Sequence, residues 1–268
     1  MSLCIGVVTT EGIVVAGESR QTQVVSGMNR IGSDSAVKVF ELTPSILAAT
    51  AGWAFLKPQG SAVWRNISSL MEDFKSTIPE GSSVQRVAAL LWTYFDTIYQ
   101  EHTSQMTGTA VADGQVALEF IVTGYDPGSR FGTLFNVRVP SPAAPLAAAR
   151  TSNDPNPWWI GQTDVIARIL KGYDGRALVL PFAQGSGQVQ NIIQQLTSLQ
   201  YSVSWNTMTI QDAIDFVVAM IQITATIQRF TPGMPTQVVP AGVGGPIDVA
   251  VILPEGRVQW VAKKEFHV

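Results

Sequence analysis

The N-terminal segment of the chain has the pattern of a β-hairpin. Residues 2–9 are apolar and rich in β-branched side chains, Thr10-Glu11-Gly12 supplies a turn, and residues 13–16 resume an apolar run. A hairpin that begins at residue 2 places the start of this chain inside a sheet, whereas most chain termini are loose and exposed. We therefore expect the rest of the fold to be built around these two strands.

Ser2 at the start of this hairpin is a candidate nucleophile. If the initiator methionine is removed, the free α-amino group and the hydroxyl belong to the same residue. An α-amine titrates near ~7.7–8.0, close to the pH at which general-base catalysis is most effective. A terminal amine can activate a hydroxyl in this way, whereas a retained Met1 leaves Ser2 without that base.

Three further motifs follow the pattern of a known family. They are Glu18-Ser19-Arg20, the segment Lys38-Val-Phe-Glu-Leu-Thr-Pro, and the small-residue run Ala48-Ala-Thr-Ala-Gly52. With the hydroxyl residue at position 2, the stretch 2–54 resembles the start of a proteasome β-type subunit, a member of the N-terminal-nucleophile hydrolases. The resemblance extends to Thr123-Gly-Tyr-Asp126. It implies that Ser2 is the nucleophile, Glu18 the acidic orienter, Lys38 the lysine beside the nucleophile, and Gly52 the oxyanion-hole donor.

These residue types suit amide-bond chemistry. A lysine held against a carboxylate stays cationic and lowers the cost of forming the Ser2 alkoxide. A backbone N–H at a glycine lets the acyl oxygen approach closely, and one such donor contributes roughly 2.7–4 kcal/mol to transition-state stabilisation. The alternative interpretation makes Glu18 and Arg20 an exposed ion pair worth at most about 1 kcal/mol, and Lys38 a solvated edge residue.

The sequence departs from the family at several positions. The family usually has threonine and aspartate where this chain has Ser2 and Glu18. An aspartate that supports the nucleophile at the end of a helix is replaced here by Phe230, unless Asp248 substitutes for it. Gln162 stands at or near the place of a family serine. Arg20, Gln162 and Asp248 are therefore candidate supporting residues.

The remaining chain predicts alternating strands and helices. Residues 21–35 are predicted to form a polar loop. Helices are predicted over 58–77, 82–106, 164–171, 189–200 and from Thr209 onward, and strands over 36–42, 46–51, 116–125, 131–139, 244–253 and 257–262. The family resemblance implies an α+β fold, a four-layer αββα sandwich. We expect one domain over 1–268, with insertions around 140–157, 172–206 and 231–243.

The composition of the chain limits which kinds of partner and which cellular compartment we expect. The 268 residues are 46% hydrophobic and 14% charged, and the net charge of −3 argues against nucleic acid or an anionic membrane as a partner. Cys4 is the single cysteine, so an intrachain disulfide is excluded. We expect its side chain to be a small buried hydrophobic group. No signal segment and no run of 18 apolar residues is evident, so we expect a cytoplasmic protein.

The sequence lacks residues or motifs that other classes of catalytic site require. The two histidines, His102 and His267, are expected on the solvated surface, so a histidine-ligated metal site or a Ser-His-Asp triad has no basis. Gly185-Ser-Gly187 lacks the lysine of a phosphate-binding loop, and no dinucleotide fingerprint occurs. No metal and no cofactor are expected.

The functional expectation is hydrolysis of peptide or other amide bonds through an acyl-enzyme on Ser2. The resemblance implies a peptide or protein substrate and assembly of identical chains into a ring or helical stack. Two alternatives stay open. One is a non-catalytic relative that keeps the scaffold for assembly or binding, and the other is an amide-bond transferase, a transpeptidase or acylase, that passes the acyl group to an amine.

Overall fold

The computed structural model describes residues 2–25, 28–106, 116–145, 147–173, 189–231, 233–234, 237–238 and 242–265. Within these ranges the strands are β1 (Leu3–Val8), β2 (Ile13–Glu18), β3 (Gln21–Val25), β4 (Met28–Ser33), β5 (Val39–Thr43), β6 (Ile46–Gly52), β7 (Phe55–Leu56), β8 (Arg65–Asn66), β9 (Leu118–Tyr125), β10 (Gly132–Val139), β11 (Arg150–Thr151), β12 (Pro157–Gly161), β13 (Gly233–Met234), β14 (Gln237–Val238), β15 (Ile247–Leu253) and β16 (Arg257–Ala262). The helices are α1 (Ile67–Lys75), α2 (Val84–Ser104), α3 (Asp164–Lys171), α4 (Val189–Thr197) and α5 (Ile210–Phe230).

Two five-stranded antiparallel sheets form the centre of the molecule. The first sheet has the order β12-β1-β2-β15-β16 and the second the order β11-β10-β9-β6-β5. The predicted hairpin is β1–β2, and it occupies interior positions of the first sheet. The chain is thus a mixed α and β protein built on antiparallel sheets, which agrees with the α+β prediction.

Three hydrophobic cores hold the sheets and helices together. The first lies between the two sheets and includes Cys4, Val15, Ile121 and Leu134. The second lies between the second sheet and helices α1 and α2, and the third between the first sheet and helices α3 and α5. Strands β1 and β2 are buried along their whole length because both of their faces are covered. This explains their continuous apolar runs.

Helix α5 is long and apolar enough to cross a membrane by length and composition alone, a test that core helices of soluble proteins also pass. Its Thr209 forms the predicted capping box with Asp212. The buried residues of α5 include Ala213, Val217 and Ile221, and the helix packs on β1 and β2. The C-terminal end of α5 lies beside the end of β12, where Gln228 donates to Gln162.

One predicted helix start and one predicted loop are wrong. The helix expected from residue 58 begins only at Ile67, because Asn66 caps it by accepting a hydrogen bond from Ser69 N at 2.8 Å. The residues before it form the β7–β8 pair, with Gly60 at a φ of 75° between the strands. The expected loop over 21–35 contains the ribbon β3–β4 instead. In the sequence, β-branched residues flank a Ser-Gly turn signal there, but the many polar residues obscure it.

Candidate active site

A cavity of about 230 Å³ opens beside the start of β1. Three of the residues proposed for catalysis, Ser2, Lys38 and Gly52, line it. The other lining residues are Arg20, Gln21, Thr22, Ser33, Ser35, Ala36, Val37, Thr50, Ala51, Trp53, Ala54, Asn66, Ile67 and Ser68. Ser2 just before β1, the β3–β4 ribbon, strand β6 of the second sheet and the N-terminus of α1 therefore meet at one opening.

Glu18 is fully buried and joins several segments of this site through hydrogen bonds. It is the last residue of β2, and its Oε1 accepts hydrogen bonds from Leu3 N at 3.2 Å and from Lys38 Nζ. Its Oε2 accepts from Arg20 N at 2.7 Å and from Gly244 N at 3.1 Å. A buried carboxylate requires such partners, because transfer out of water without them is costly. One side chain thus connects the start of β1, the residue before β5 and the loop before β15.

Lys38 is buried beside Glu18, with 6% of its surface exposed. Its Nζ donates to Glu18 Oε1 and to Arg20 O, the latter at 2.5 Å. Its backbone carbonyl accepts from Thr50 N at 3.0 Å, which joins the lysine to the strand that leads to Gly52. The alternative interpretation of Glu18 and Lys38 as exposed surface charges is therefore wrong.

Ser2 is held through its backbone on two sides. The carbonyl oxygen of its peptide bond to Leu3 accepts a hydrogen bond from Gln162 N at 2.7 Å, and the N–H of the same peptide group donates to Glu18. Gly161 has a φ of 88°, and a Cβ at this position would lie 2.0 Å from Ser2 O. The end of β12 can approach Ser2 this closely only because residue 161 is glycine.

Gly52 has a similar constraint at the opposite side of the cavity. It ends β6 with a φ of 111°, and a Cβ there would lie 2.2 Å from Ala117 O. The backbone at the cavity edge therefore has a conformation and a close contact that an L-residue with a side chain cannot share without strain.

The side chains of the three candidate supporting residues bind partners other than Ser2. The guanidinium of Arg20 binds Asp34 through Nε–Oδ1 at 2.7 Å and Nη2–Oδ2 at 2.9 Å, and this hydrogen-bonded pair raises the pKa of Arg20 and lowers the pKa of Asp34. Asp248 is buried and accepts from the backbone N and the Nζ of Lys264, so its place as a substitute beside Ser2 is not supported. Phe230 is 75% exposed.

The Gln162 side chain lies in a network that the sequence did not predict. Its Oε1 accepts from Gln228 Nε2 at 2.6 Å, and Gln228 Oε1 accepts from Gly242 N and Val243 N, both at 2.9 Å. Gln228 lies in the last turn of α5, and no local sequence signal marks it. Its partners are 66 and 14–15 residues away along the chain, so only the folded structure brings them together.

No protein-family model matches this sequence, and no curated protein is significantly similar to it.

Cys4 lies behind Thr50, one of the residues that line the cavity. The Cys4 thiol donates to Thr50 O at 3.3 Å, and burial raises the pKa of Cys4 to about 12. The thiol is thus protonated at neutral pH, as expected for a small buried hydrophobe. Among the described residues, the buried Thr50 Oγ1 has no hydrogen-bond partner.

His102 contradicts its expected place on the surface. Only 2% of it is exposed, its Nδ1 accepts from Lys57 N at 3.0 Å, and its ring makes edge contacts with Trp53 and Trp64. Burial lowers the pKa of His102, so the neutral imidazole fits this place. His267 and Gly185-Ser-Gly187 lie outside the described residues. Within the described part of the chain, no group of three or more His, Cys, Asp or Glu side chains could hold a metal ion.

Proposed function

We propose that this protein is an N-terminal-nucleophile hydrolase that cleaves peptide or other amide bonds through an acyl-enzyme on Ser2. The observation that carries the proposal is the shared carboxylate of Glu18. Its Oε1 accepts from the peptide N–H next to Ser2 and from Lys38 Nζ, and Ser2 and Lys38 line one cavity. A cation beside a hydroxyl, oriented by a buried carboxylate, is an arrangement that favours alkoxide formation.

In the proposed reaction, removal of Met1 frees the α-amine of Ser2. Ser2 Oγ attacks the carbonyl carbon of the substrate, and its proton passes to this amine. The carbon–nitrogen bond then breaks, and the departing amine takes the proton and leaves an ester on Oγ. Water attacks the ester with the same amine as base, the carbon–oxygen bond breaks, and the proton returns to Ser2 Oγ.

Lys38 and Gly52 have distinct roles in this proposal. The ammonium of Lys38 stabilises negative charge on Ser2 Oγ before attack. The backbone N–H of Gly52 receives the negative charge that develops on the substrate oxygen, where one donor contributes roughly 2.7–4 kcal/mol. Glu18 holds Lys38 in direction and does not itself touch the substrate.

The fold supports the same proposal at a coarser level. Two antiparallel sheets pack face to face, with α1 and α2 against one and α3 and α5 against the other. We propose that this is the four-layer αββα sandwich of proteasome β-type subunits, which the motifs around Ser2, Glu18, Lys38 and Gly52 resemble. A cytoplasmic homo-oligomer, a ring or a helical stack, belongs to this proposal, and light scattering of the purified protein would measure its mass.

The direct test is covalent labelling with a fluorescent peptide vinyl sulfone. Intact mass should show loss of Met1, and tryptic mapping should place the label on Ser2. Ser2→Ala should abolish labelling, Ser2→Thr should retain it, and the exposed Ser104→Ala should label like the parent protein. A retained Met1, or labelling that persists in Ser2→Ala, would overturn the hydrolase.

The two alternatives are separate outcomes of this test. A folded protein that lacks Met1 and takes up no label would be a non-catalytic scaffold. A labelled protein that gives a new amide product only when an amine acceptor is added would be a transferase.

A further inference from the structure

Gln228 connects two segments that fix the proposed catalytic residues. Its Nε2 donates to Gln162 Oε1, and its Oε1 accepts from the backbone N–H groups of Gly242 and Val243. Both segments then reach the site through the backbone. Gln162 N donates to Ser2 O at 2.7 Å, and Gly244 N donates to Glu18 Oε2 at 3.1 Å.

The geometry points to Gln228 as a positioning residue for Ser2 and Glu18, an inference that rests on the proposed hydrolase. A single amide at the end of α5 holds the end of β12 on one side and the loop before β15 on the other. At these positions neither segment forms regular strand-to-strand hydrogen bonds. The side-chain amide of Gln228 therefore provides hydrogen bonds that the sheet does not provide there. Gln228 touches no reacting atom and acts through the two backbone donors.

The Gly242–Gly244 segment needs such a holder. Ser19 N donates to Gly244 O at 3.1 Å, and a Cβ on Gly244 would lie 2.6 Å from the Arg20 guanidinium carbon. Two adjacent glycines, Gly244 and Gly245, give this segment wide backbone freedom when it is not held. Loss of its contact with Gln228 frees Gly244 N to leave Glu18, and the carboxylate then loses one of the donors that set its direction.

The expected chemical consequence is slower reaction with unchanged binding. A small misplacement of a catalytic group reduces rate steeply, whereas the cavity that binds the probe is lined by other residues. Gln228→Met has nearly the same length and lacks all three hydrogen bonds. We expect it to reduce the maximal labelling rate by the vinyl sulfone roughly tenfold or more, with little change in the probe's reversible binding constant.

Gln228→Glu is the conservative variant, because its carboxylate keeps acceptors for the loop amides. It should label far faster than Gln228→Met. Gln211→Met is the matched control on the same helix, where Gln211 is exposed and its Nε2 donates to Asp215 Oδ1 at 2.9 Å. It should behave like the parent protein. Gln162→Met removes the acceptor for Gln228 Nε2 and leaves the two bonds from Gly242 N and Val243 N to Gln228 Oε1. It should give an intermediate rate, and it serves as the test variant if Gln228→Met does not fold.

Hydrogen exchange measured by mass spectrometry supplies a readout that needs no activity. In Gln228→Met, peptides that contain residues 242–244 and residue 162 should exchange faster, and in Gln211→Met they should not change. Unchanged exchange in Gln228→Met would overturn the inference, and so would faster exchange with a parental labelling rate. If the parent protein takes no label at all, the proposed hydrolase fails, while the exchange data still decide whether Gln228 holds these segments.

Discussion

At the residue scale, the buried ion pair of Glu18 and Lys38 lies at the centre of the site, and the stability of the fold depends on both partners being present. Loss of one partner from a buried ion pair typically costs about 3–5 kcal/mol, because the other charge stays in the interior. We therefore expect Lys38→Met to lose stability in this range and to reduce labelling of Ser2 on the order of 100-fold.

Urea unfolding of Lys38→Met and of the exposed Lys75→Met measures the effect, and Lys75→Met should match the parent protein. In the double variant Glu18→Gln/Lys38→Met the stability loss should be smaller than the sum of the single losses, because no unpaired charge remains. Strict additivity of the two single losses would show that Glu18 and Lys38 do not form the buried ion pair.

Gly52 allows a second residue-scale prediction. An alanine there combines a φ of 111° with a Cβ that meets Ala117 O at 2.2 Å. Gly52→Ala should reduce the free energy of unfolding by about 3 kcal/mol or more. Gly60 is the matched position, since its φ is 75° and nothing lies within 4 Å of the added Cβ. Gly60→Ala should cost only about 1–2 kcal/mol, and equal costs at both positions would contradict the clash.

At the scale of elements, periodicity predicted most strands and helices, and failures occurred where the decisive contact is distant. The hairpin β1–β2 and the cap of α5 rest on adjacent residues, so local patterns suffice. The start of α1 does not, because residues 55–56 pair with 65–66 and exclude a helix there. The candidate site divides in the same way. Glu18, Lys38 and Gly52 lie in short motifs, whereas the role of Gln228 becomes visible only when α5 packs beside the end of β12 and the loop before β15.

His102 links helix α2 to the segment that carries Trp53 on the cavity wall. Its ordinary pKa is about 6.5, and burial lowers the pKa in the folded state. Between these two values the unfolded chain binds more protons than the folded chain. The contribution of the buried neutral imidazole to stability is therefore fully present above about pH 6.5 and is lost as the pH falls toward the folded pKa.

The free energy of unfolding, measured in urea between pH 7.5 and 5, should fall by up to about 1.4 kcal/mol per pH unit through this group alone. His102→Gln keeps an acceptor and does not titrate, so the difference between the two proteins isolates the histidine. A difference that is constant with pH would show that His102 titrates alike in both states.

At the scale of the whole molecule, the strands that carry the site are also those on which the cores converge. Gly6 of β1 faces the second sheet, and a Cβ there would lie 2.8 Å from Leu134 Cδ1 and 3.4 Å from Ile121 Cγ2. Gly6→Val pushes two further methyl groups into the packing between the sheets, and such overpacking typically costs about 1–3 kcal/mol. Because β1 packs against both α5 and the second sheet, we expect Gly6→Val to destabilise the whole molecule as one unit.

Tryptophan fluorescence and far-ultraviolet circular dichroism of Gly6→Val should report the same lowered urea midpoint. Gln259→Val, at an exposed position of β16 in the same sheet, should leave that midpoint near the parental value. Separate midpoints for the two signals would mean that the two sheets unfold independently. An unchanged midpoint in Gly6→Val would mean that the space between the sheets is looser than the packing of Gly6 against Leu134 indicates.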